Sequence, residues 1–272
     1  DSIREEQRPF CINNHEGALV ALVAEAVAGI REEGSARPLV VVEVGSHYGD
    51  CTLLAHAVAR RADCPVQATV FEANAEAVRV LRGNLEANAG ARAAVRVRHA
   101  AVGSRGGGRV RLLVPESSAH AALNLSVAGG SEAPAAPRVQ EAAFAPIRRW
   151  AAAARQRLEC ERPPRLAFEE VEAVSLDSEL HGATIDLLLI SVNRAELDVL
   201  EGARWLLSRH RARLVVALTW SWSEYRRALE GHGYCFERRV RFDGTDWAVA
   251  RAPRALRGRG PSGAVCNSTA VD

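Results

Sequence analysis

The stretch Val40-Val41-Val42-Glu43-Val44-Gly45-Ser46-His47-Tyr48-Gly49-Asp50 decides the reading of this chain. β-Branched apolar residues run up to an acidic side chain, and the chain then enters a turn bracketed by two glycines. A near-continuous apolar run reads as a strand buried on both faces of a parallel sheet. Glycine lets the backbone approach a ligand that a Cβ would block. Working outward, Ala68-Thr69-Val70-Phe71-Glu72 repeats the pattern, an apolar strand closing on a carboxylate. In a doubly wound sheet, ligands bind beyond the carboxyl ends of the strands, where strand order reverses. Two strand tips that each end in an acid therefore predict a nucleoside-binding edge. Glu72 is placed to accept hydrogen bonds from ribose hydroxyls, because a carboxylate offers acceptors only.

The glycine spacing bears on which nucleotide binds. Dinucleotide enzymes want G-x-G-x-x-G, whose glycines admit a pyrophosphate to a helix N-terminus. Here the pattern is Glu43-x-Gly45-x-x-x-Gly49, without a third glycine. Glu43 repels a pyrophosphate and favours a cation, or else orients the turn through backbone N–H groups. S-adenosylmethionine carries a sulfonium and an ammonium and no phosphate, so it is the expected cofactor. A nicotinamide dehydrogenase is the distant alternative. The plain structural alternative is a glycine turn whose carboxylates face solvent.

Around this centre, apolar spacing predicts a helix over 15–33, strands over 39–44 and 67–72, and a helix over 50–61. Asn74 caps a helix bearing Val78, Leu81 and Leu85. A short strand follows near 95–97. Gly106-Gly107-Gly108 turns into Val110–Val114. Residues 115–138 are rich in Ala, Ser, Gly and Pro and read as loop, and 147–158 as a helix. Order returns with strands over 171–176, 185–190 and 213–219, and helices over 195–209 and 225–231. Two last strands near 234–241 and 246–250 flank Asp243-Gly244, a hairpin signal. Strand–helix alternation argues for parallel pairing with helices on both faces. The expected fold class is α/β, doubly wound and mostly parallel, with an antiparallel C-terminal hairpin. Its expected parts are a lead-in over 1–38, a domain over 39–250 with an insertion at about 115–165, and a flexible tail over 251–272. The insertion covers the site, meets a protein partner, or is a surface elaboration.

The bulk numbers narrow the partners. The 272 residues suit one domain with additions, and a net charge of +2 argues against nucleic acid as a ligand. No apolar run reaches the ~18 residues of a membrane span. All 35 basic residues are Arg, which excludes a catalytic lysine. The six cysteines show no C-x-x-C spacing, so no metal site is expected, and Cys51 and Cys64 read as buried small residues. An even count permits disulfides, although a domain of this size does not need them. Two sequons, at Asn124 and Asn267, matter only in a secretory lumen. The chain starts at Asp1 without Met, so an upstream segment is expected to have been removed or left out, and no signal peptide is read. A soluble protein is expected, cytoplasmic by default, with the secretory lumen as the alternative.

Several ordered blocks carry a resemblance. Val41–Asp50, Phe71-Glu72-Ala73-Asn74 with Leu81 and Asn84, and Ala100-Ala101-Val102-Gly103 are three of them. Val174-Ser175-Leu176-Asp177, Ile185–Glu196, Val199-Leu200-Glu201-Gly202-Ala203 and Gly233-Tyr234 are the others. Together they resemble FkbM-type S-adenosylmethionine-dependent methyltransferases. The resemblance implies a class I methyltransferase fold, with a doubly wound, mostly parallel seven-stranded sheet, and O-methylation of a sugar or polyketide-like hydroxyl. Glu43, Gly45, Gly49 and Glu72 match the cofactor positions; Ser46 in the same turn and Ala101 on the adenine side join them as candidates. The acceptor is expected to be a small molecule or glycan.

One departure stands out. The family pattern K-I-D-V-E-G-A-E is replaced by Leu189-Ile190-Ser191-Val192-Asn193-Arg194-Ala195-Glu196. Methyl transfer to a hydroxyl gains from alignment and from a base as the proton leaves. Leu189 cannot pair with a carboxylate, and Ser191 and Asn193 are poor bases. Glu196 is the candidate catalytic residue of the acceptor pocket, with His47 and His99 as weaker stand-ins. Trp220 and Trp222 either stack on a sugar or pack under the closing hairpin. Two functions stay open: a methyltransferase, or a methyltransferase-like module without turnover that serves as a structural or interaction subunit.

Overall fold

The computed structural model describes residues 16–88, 90–115, 166–192, 195–219, 222–242 and 245–253. The expected insertion and tail lie almost entirely outside them. Helix α1 (Glu16–Glu32) leads into β1 (Leu39–Val44), α2 (Asp50–Arg61), β2 (Val66–Glu72), α3 (Ala75–Ala87), α4 (Ala91–Ala94) and β3 (Val95–His99). Strands β4 (Ala101–Val102), β5 (Gly108–Pro115) and β6 (Leu166–Val174) follow, then α5 (Leu176–Glu179) and β7 (Ile185–Ile190). The chain continues with α6 (Glu196–Glu201), α7 (Arg204–Ser208), β8 (Ala212–Thr219), α8 (Trp222–Gly231), β9 (Cys235–Phe242) and β10 (Thr245–Arg251).

Seven strands form one sheet in the order β3-β2-β1-β7-β8-β10-β9. The first five run parallel, and β10 is antiparallel to both β8 and β9. Strand order reverses between β1 and β7, so the switch point lies beside the Gly45 turn. The expected α/β class and closing hairpin are therefore the observed ones.

Side chains alternate across each strand. Leu39 and Val41 enter one core with α1, α2 and α3, whereas Val42 and Val44 enter a second core with α6, α7 and α8. Glu43 shares the parity of Val41, and Glu72 that of Val70 and Ala68, so both carboxylates leave the same face of the sheet. At the opposite, amino end of the strands, buried Asp186 accepts two bonds from Arg37, at 2.6 and 2.7 Å, and one from the Val40 N–H at 2.9 Å. That pairing satisfies the one charge within β7.

Three expectations change. The strand foreseen over 171–176 is β6, which starts at Leu166, ends at Val174 and joins β4 and β5 in a second, three-stranded sheet. The helix foreseen over 195–209 breaks into α6 and α7 at Gly202, which sits against the Gly103 carbonyl, where an added Cβ would come within 2.0 Å of that oxygen. Asp177 then accepts from the Trp205 and Leu206 N–H groups and caps the new helix start, at 2.8 and 3.0 Å. Cys51 is buried as foreseen, but it is disulfide-bonded, as is Cys235, whereas Cys64 is buried and free. Cys51 packs over β1 and β2, while Cys235 opens the edge strand β9. Strands β1 and β9 lie four spacings apart, about 19 Å, and a disulfide spans Cα atoms no more than ~7 Å apart. The two cysteines therefore belong to separate bonds.

Candidate active site

The turn after β1 is set by its backbone. The Gly45 and Ser46 N–H groups both donate to Phe71 O, at 2.9 and 3.2 Å, which latches the turn to the tip of β2. The Gly49 N–H closes the turn onto Ser46 O at 2.7 Å, and Leu53 N–H on Gly49 O starts α2. Gly45 and Gly49 have φ of +79° and +80°, left-handed values that suit glycine. Each also makes a close approach. An added Cβ on Gly45 would meet Ser191 O at 2.2 Å, and one on Gly49 would meet Leu81 Cδ1 at 2.2 Å. Asn84 donates to Tyr48 O at 2.9 Å and pins the far side of the turn to α3. His47 takes φ +49°, and its ring stacks on Tyr48 with centroids 3.6 Å apart.

The two carboxylates sit at this turn on different terms. Glu72 accepts from the His47 N–H at 2.7 Å and the Asn74 N–H at 2.8 Å. It joins the turn to the start of α3, whose first turn Asn74 caps through the Ala77 N–H. Burial raises the Glu72 pKa, and the N–H groups of Asn74 and His47 oppose that rise. Glu43 is 1% exposed and accepts from the Thr52 hydroxyl, so it ties α2 to β1. Burial pushes its pKa up to about 8; the Thr52 bond opposes this, and the charges of Asp50 and Glu72 add to it. Ser46 is equally buried, and its hydroxyl has no hydrogen-bond partner. Such a group destabilises a fold unless something else satisfies it.

The other candidates are spread around this centre. Ala101 is in β4, paired with Ala173, and packs with Ala73, the residue after Glu72. The His99 ring bonds Ala73 O at 3.0 Å. Glu196 opens α6 beyond the tip of β7 and is 6% exposed. Leu189 is a core residue, and Ser191 N–H bonds Val44 O at 2.8 Å, which continues β7 alongside β1. Trp222 meets the Phe236 ring edge-on at 5.1 Å, a packing contact beside the hairpin. Asn193 and Trp220 lie outside the described residues.

Two participants escaped the sequence reading. Thr52, the partner of Glu43, carries only a helical-spacing signal, nine residues after the strand's acid. Tyr225, in the first turns of α8, is fully buried, and its hydroxyl has no partner. Burial and then the charge of Glu196 raise its pKa well above that of an ordinary phenol.

The sheet order, the switch point at the Gly45 turn and the antiparallel hairpin define a class I methyltransferase fold. The chain belongs to the family described as the methyltransferase FkbM domain, whose model matches residues 43–236. That membership supports S-adenosylmethionine as the cofactor. No curated protein sequence matches the chain. Among solved structures it is similar to methyltransferase FkbM from Methylobacillus flagellatus KT, with 12% identity over 87% of this chain and 57% of that one and a TM-score of 0.48. It is also similar to magnesium protoporphyrin IX methyltransferase from Synechocystis PCC 6803 with bound SAM, with 10% identity over 88% and 79% and a TM-score of 0.44. A third is precorrin-6y C5,15-methyltransferase from Geobacter metallireducens GS-15, with 12% identity over 84% and 86% and a TM-score of 0.40. No helix among the described residues is long and apolar enough to cross a membrane.

Proposed function

We propose that the protein transfers the methyl group of S-adenosylmethionine to a hydroxyl oxygen of a sugar or other small molecule. The observation that carries this reading is Glu72, held by two backbone N–H groups at the tip of β2 beside the Gly45–Gly49 turn. A carboxylate has about four acceptor positions. The two N–H groups take two of them and leave capacity for a ribose diol. The residues fit the cofactor on a second count: the buried, unpartnered Ser46 hydroxyl lies in the same turn. Gly45, Ser46, Gly49 and Glu72 are the proposed cofactor-binding residues. Glu43 belongs with them by holding α2, and thus the turn, against β1. Ala101 backs the adenine side through its contact with Ala73. When bound, S-adenosylmethionine supplies an electrophilic methyl group on a sulfonium. Glu196, beyond the neighbouring strand tip, is the proposed base for the proton that leaves the acceptor hydroxyl.

Calorimetry with S-adenosylhomocysteine tests the cofactor half, and an absence of heat at millimolar ligand overturns it. Transfer of a labelled methyl group to a panel of glycans and small alcohols tests the other half. A second reading has its own support: the lysine and first acids of the family's motif are absent, and Leu189, in the lysine's place, is core. Cofactor binding without transfer to any acceptor marks the protein as a non-catalytic binding module.

We also propose that the protein works in an oxidising compartment such as the secretory lumen, supported by the disulfide-bonded Cys51 and Cys235. Thiol alkylation followed by mass measurement, with and without reductant, tests this on protein from its native source. Cysteines that are all alkylated without reductant overturn it.

A further inference from the structure

We propose that Tyr225 is an acceptor-binding residue, and that its hydroxyl and the Glu196 carboxylate together hold one alcohol oxygen between them. The inference rests on the methyltransferase reading above and names a residue outside any recognised motif. Glu196 lies in the first turn of the helix that follows β7, and Tyr225 near the start of the helix that follows β8. Strands β7 and β8 are parallel neighbours, so both residues lie at the carboxyl edge of the sheet. Helices α6 and α8 pack directly on one another. The two side chains are 6% and 0% exposed, and the Tyr225 hydroxyl makes no hydrogen bond.

A phenylalanine would fill the same space without leaving a donor unsatisfied, so the hydroxyl is explained by something that is not part of the fold. Its environment says what. Burial and the nearby Glu196 charge keep the phenol protonated at physiological pH, so it acts as a donor toward a ligand. An ionised carboxylate only accepts. A group that accepts from one and donates to the other is an alcohol. One of its lone pairs takes the Tyr225 bond, which leaves the second free to point at the methyl carbon. In the transfer, the alcohol oxygen forms a bond to that carbon as the carbon–sulfur bond breaks. The bonding pair stays on sulfur, which becomes a neutral thioether, and the alcohol proton passes to Glu196.

Tyr225→Phe is compared with the wild type in three measurements. In thermal unfolding the variant is expected to match or exceed the wild type. A fall of more than about 3 °C means that the hydroxyl is already bonded within the fold and overturns the proposal. In crystals soaked with molar glycerol as the alcohol probe, wild-type density is expected to show a glycerol oxygen within hydrogen-bond reach of both Tyr225 and Glu196, and none there in the variant. Empty space, a water that glycerol does not displace, or a direct Tyr225–Glu196 bond overturns it. Calorimetry with S-adenosylhomocysteine is expected to give equal affinity for the two proteins, and a tenfold loss in the variant puts Tyr225 on the cofactor side and overturns it. If the wild type binds no S-adenosylhomocysteine, the methyltransferase reading falls, and the glycerol result still decides the alcohol site.

Discussion

At the β1–β2 tips the chain is tied to itself. Glu72 holds two backbone N–H groups, Glu43 holds Thr52, and the glycine turn is latched to Phe71. At the β7–β8 tips, Glu196 and the Tyr225 hydroxyl, which has no hydrogen-bond partner, are brought together by helix packing. The first edge is preorganised by local geometry and so follows from strand and turn motifs. The second depends on how two helices meet. A fixed cofactor needs the former, whereas acceptor specificity can vary through the latter without disturbing the sheet. The edges meet where Gly45 lies against the Ser191 carbonyl and the Ser191 N–H bonds Val44 O.

The comparison is tested most severely at Glu72. Glu72→Ala is expected to weaken S-adenosylhomocysteine binding about a thousandfold in calorimetry. Two charge-assisted bonds at about 2 kcal/mol each account for that loss. The variant also melts lower, because the His47 and Asn74 N–H groups lose their acceptor. A change of less than tenfold would mean that the β2 tip is not the ribose site.

Glu43 gives the next effect, on stability. Its folded pKa, about 8, stands above its unfolded value of about 4.5. Between those values the folded state binds more protons than the unfolded one, so stability falls as pH rises through the window. Over the three units from pH 5 to 8 the decline is on the order of 4 kcal/mol, at about 1.4 kcal/mol per pH unit. Denaturant titrations from pH 5 to 8 are expected to show this decline in the wild type and a flatter profile in Glu43→Gln, where the amide still accepts from Thr52. Equal slopes in the two proteins would show that Glu43 is ionised in the fold.

Gly45→Ala probes the contact between the edges. The new Cβ meets backbone oxygen, which cannot swing aside, at a φ of +79°. The expected loss is about 3 kcal/mol from strain and overpacking combined, or roughly 6–12 °C in Tm for a domain of this size. A neutral result would mean that the turn does not rest on Ser191.

The sequence was informative where structure is local. The parallel strands, the closing hairpin, the Asn74 cap and the parity that puts Glu43 and Glu72 on one face follow from periods of two and 3.6 and from single capping residues, whereas the division into a seven-stranded and a three-stranded sheet does not. It was uninformative where a residue's role is set by a distant neighbour. A side chain is excluded at Gly202, where the helix breaks, because Gly103, about a hundred residues away, presents its carbonyl there. Gly45 looks like space for a ligand, but its missing Cβ also admits the Ser191 backbone. Cys51 has the spacing of an ordinary buried residue, and nothing in its neighbourhood announces a disulfide. Tyr225 carries no motif, since the lack of a hydrogen-bond partner for its hydroxyl is a property of the packed helices alone.

The smallest effect on cofactor affinity is expected from Glu196→Gln, and its smallness is what matters. Glu196 opens α6 on the face of the sheet opposite α2, whereas Glu43 and Glu72 leave the face that α2 covers. Glutamine keeps the volume of the buried side chain and removes its charge. Affinity for S-adenosylhomocysteine is therefore expected to stay within about twofold of the wild type, a few tenths of a kcal/mol. Methyl transfer to an alcohol is expected to drop by about 100-fold for want of a base. A cofactor affinity that fell together with the rate would mean that the two edges act as one site, and the division between a preorganised cofactor edge and a separately packed acceptor edge would fail.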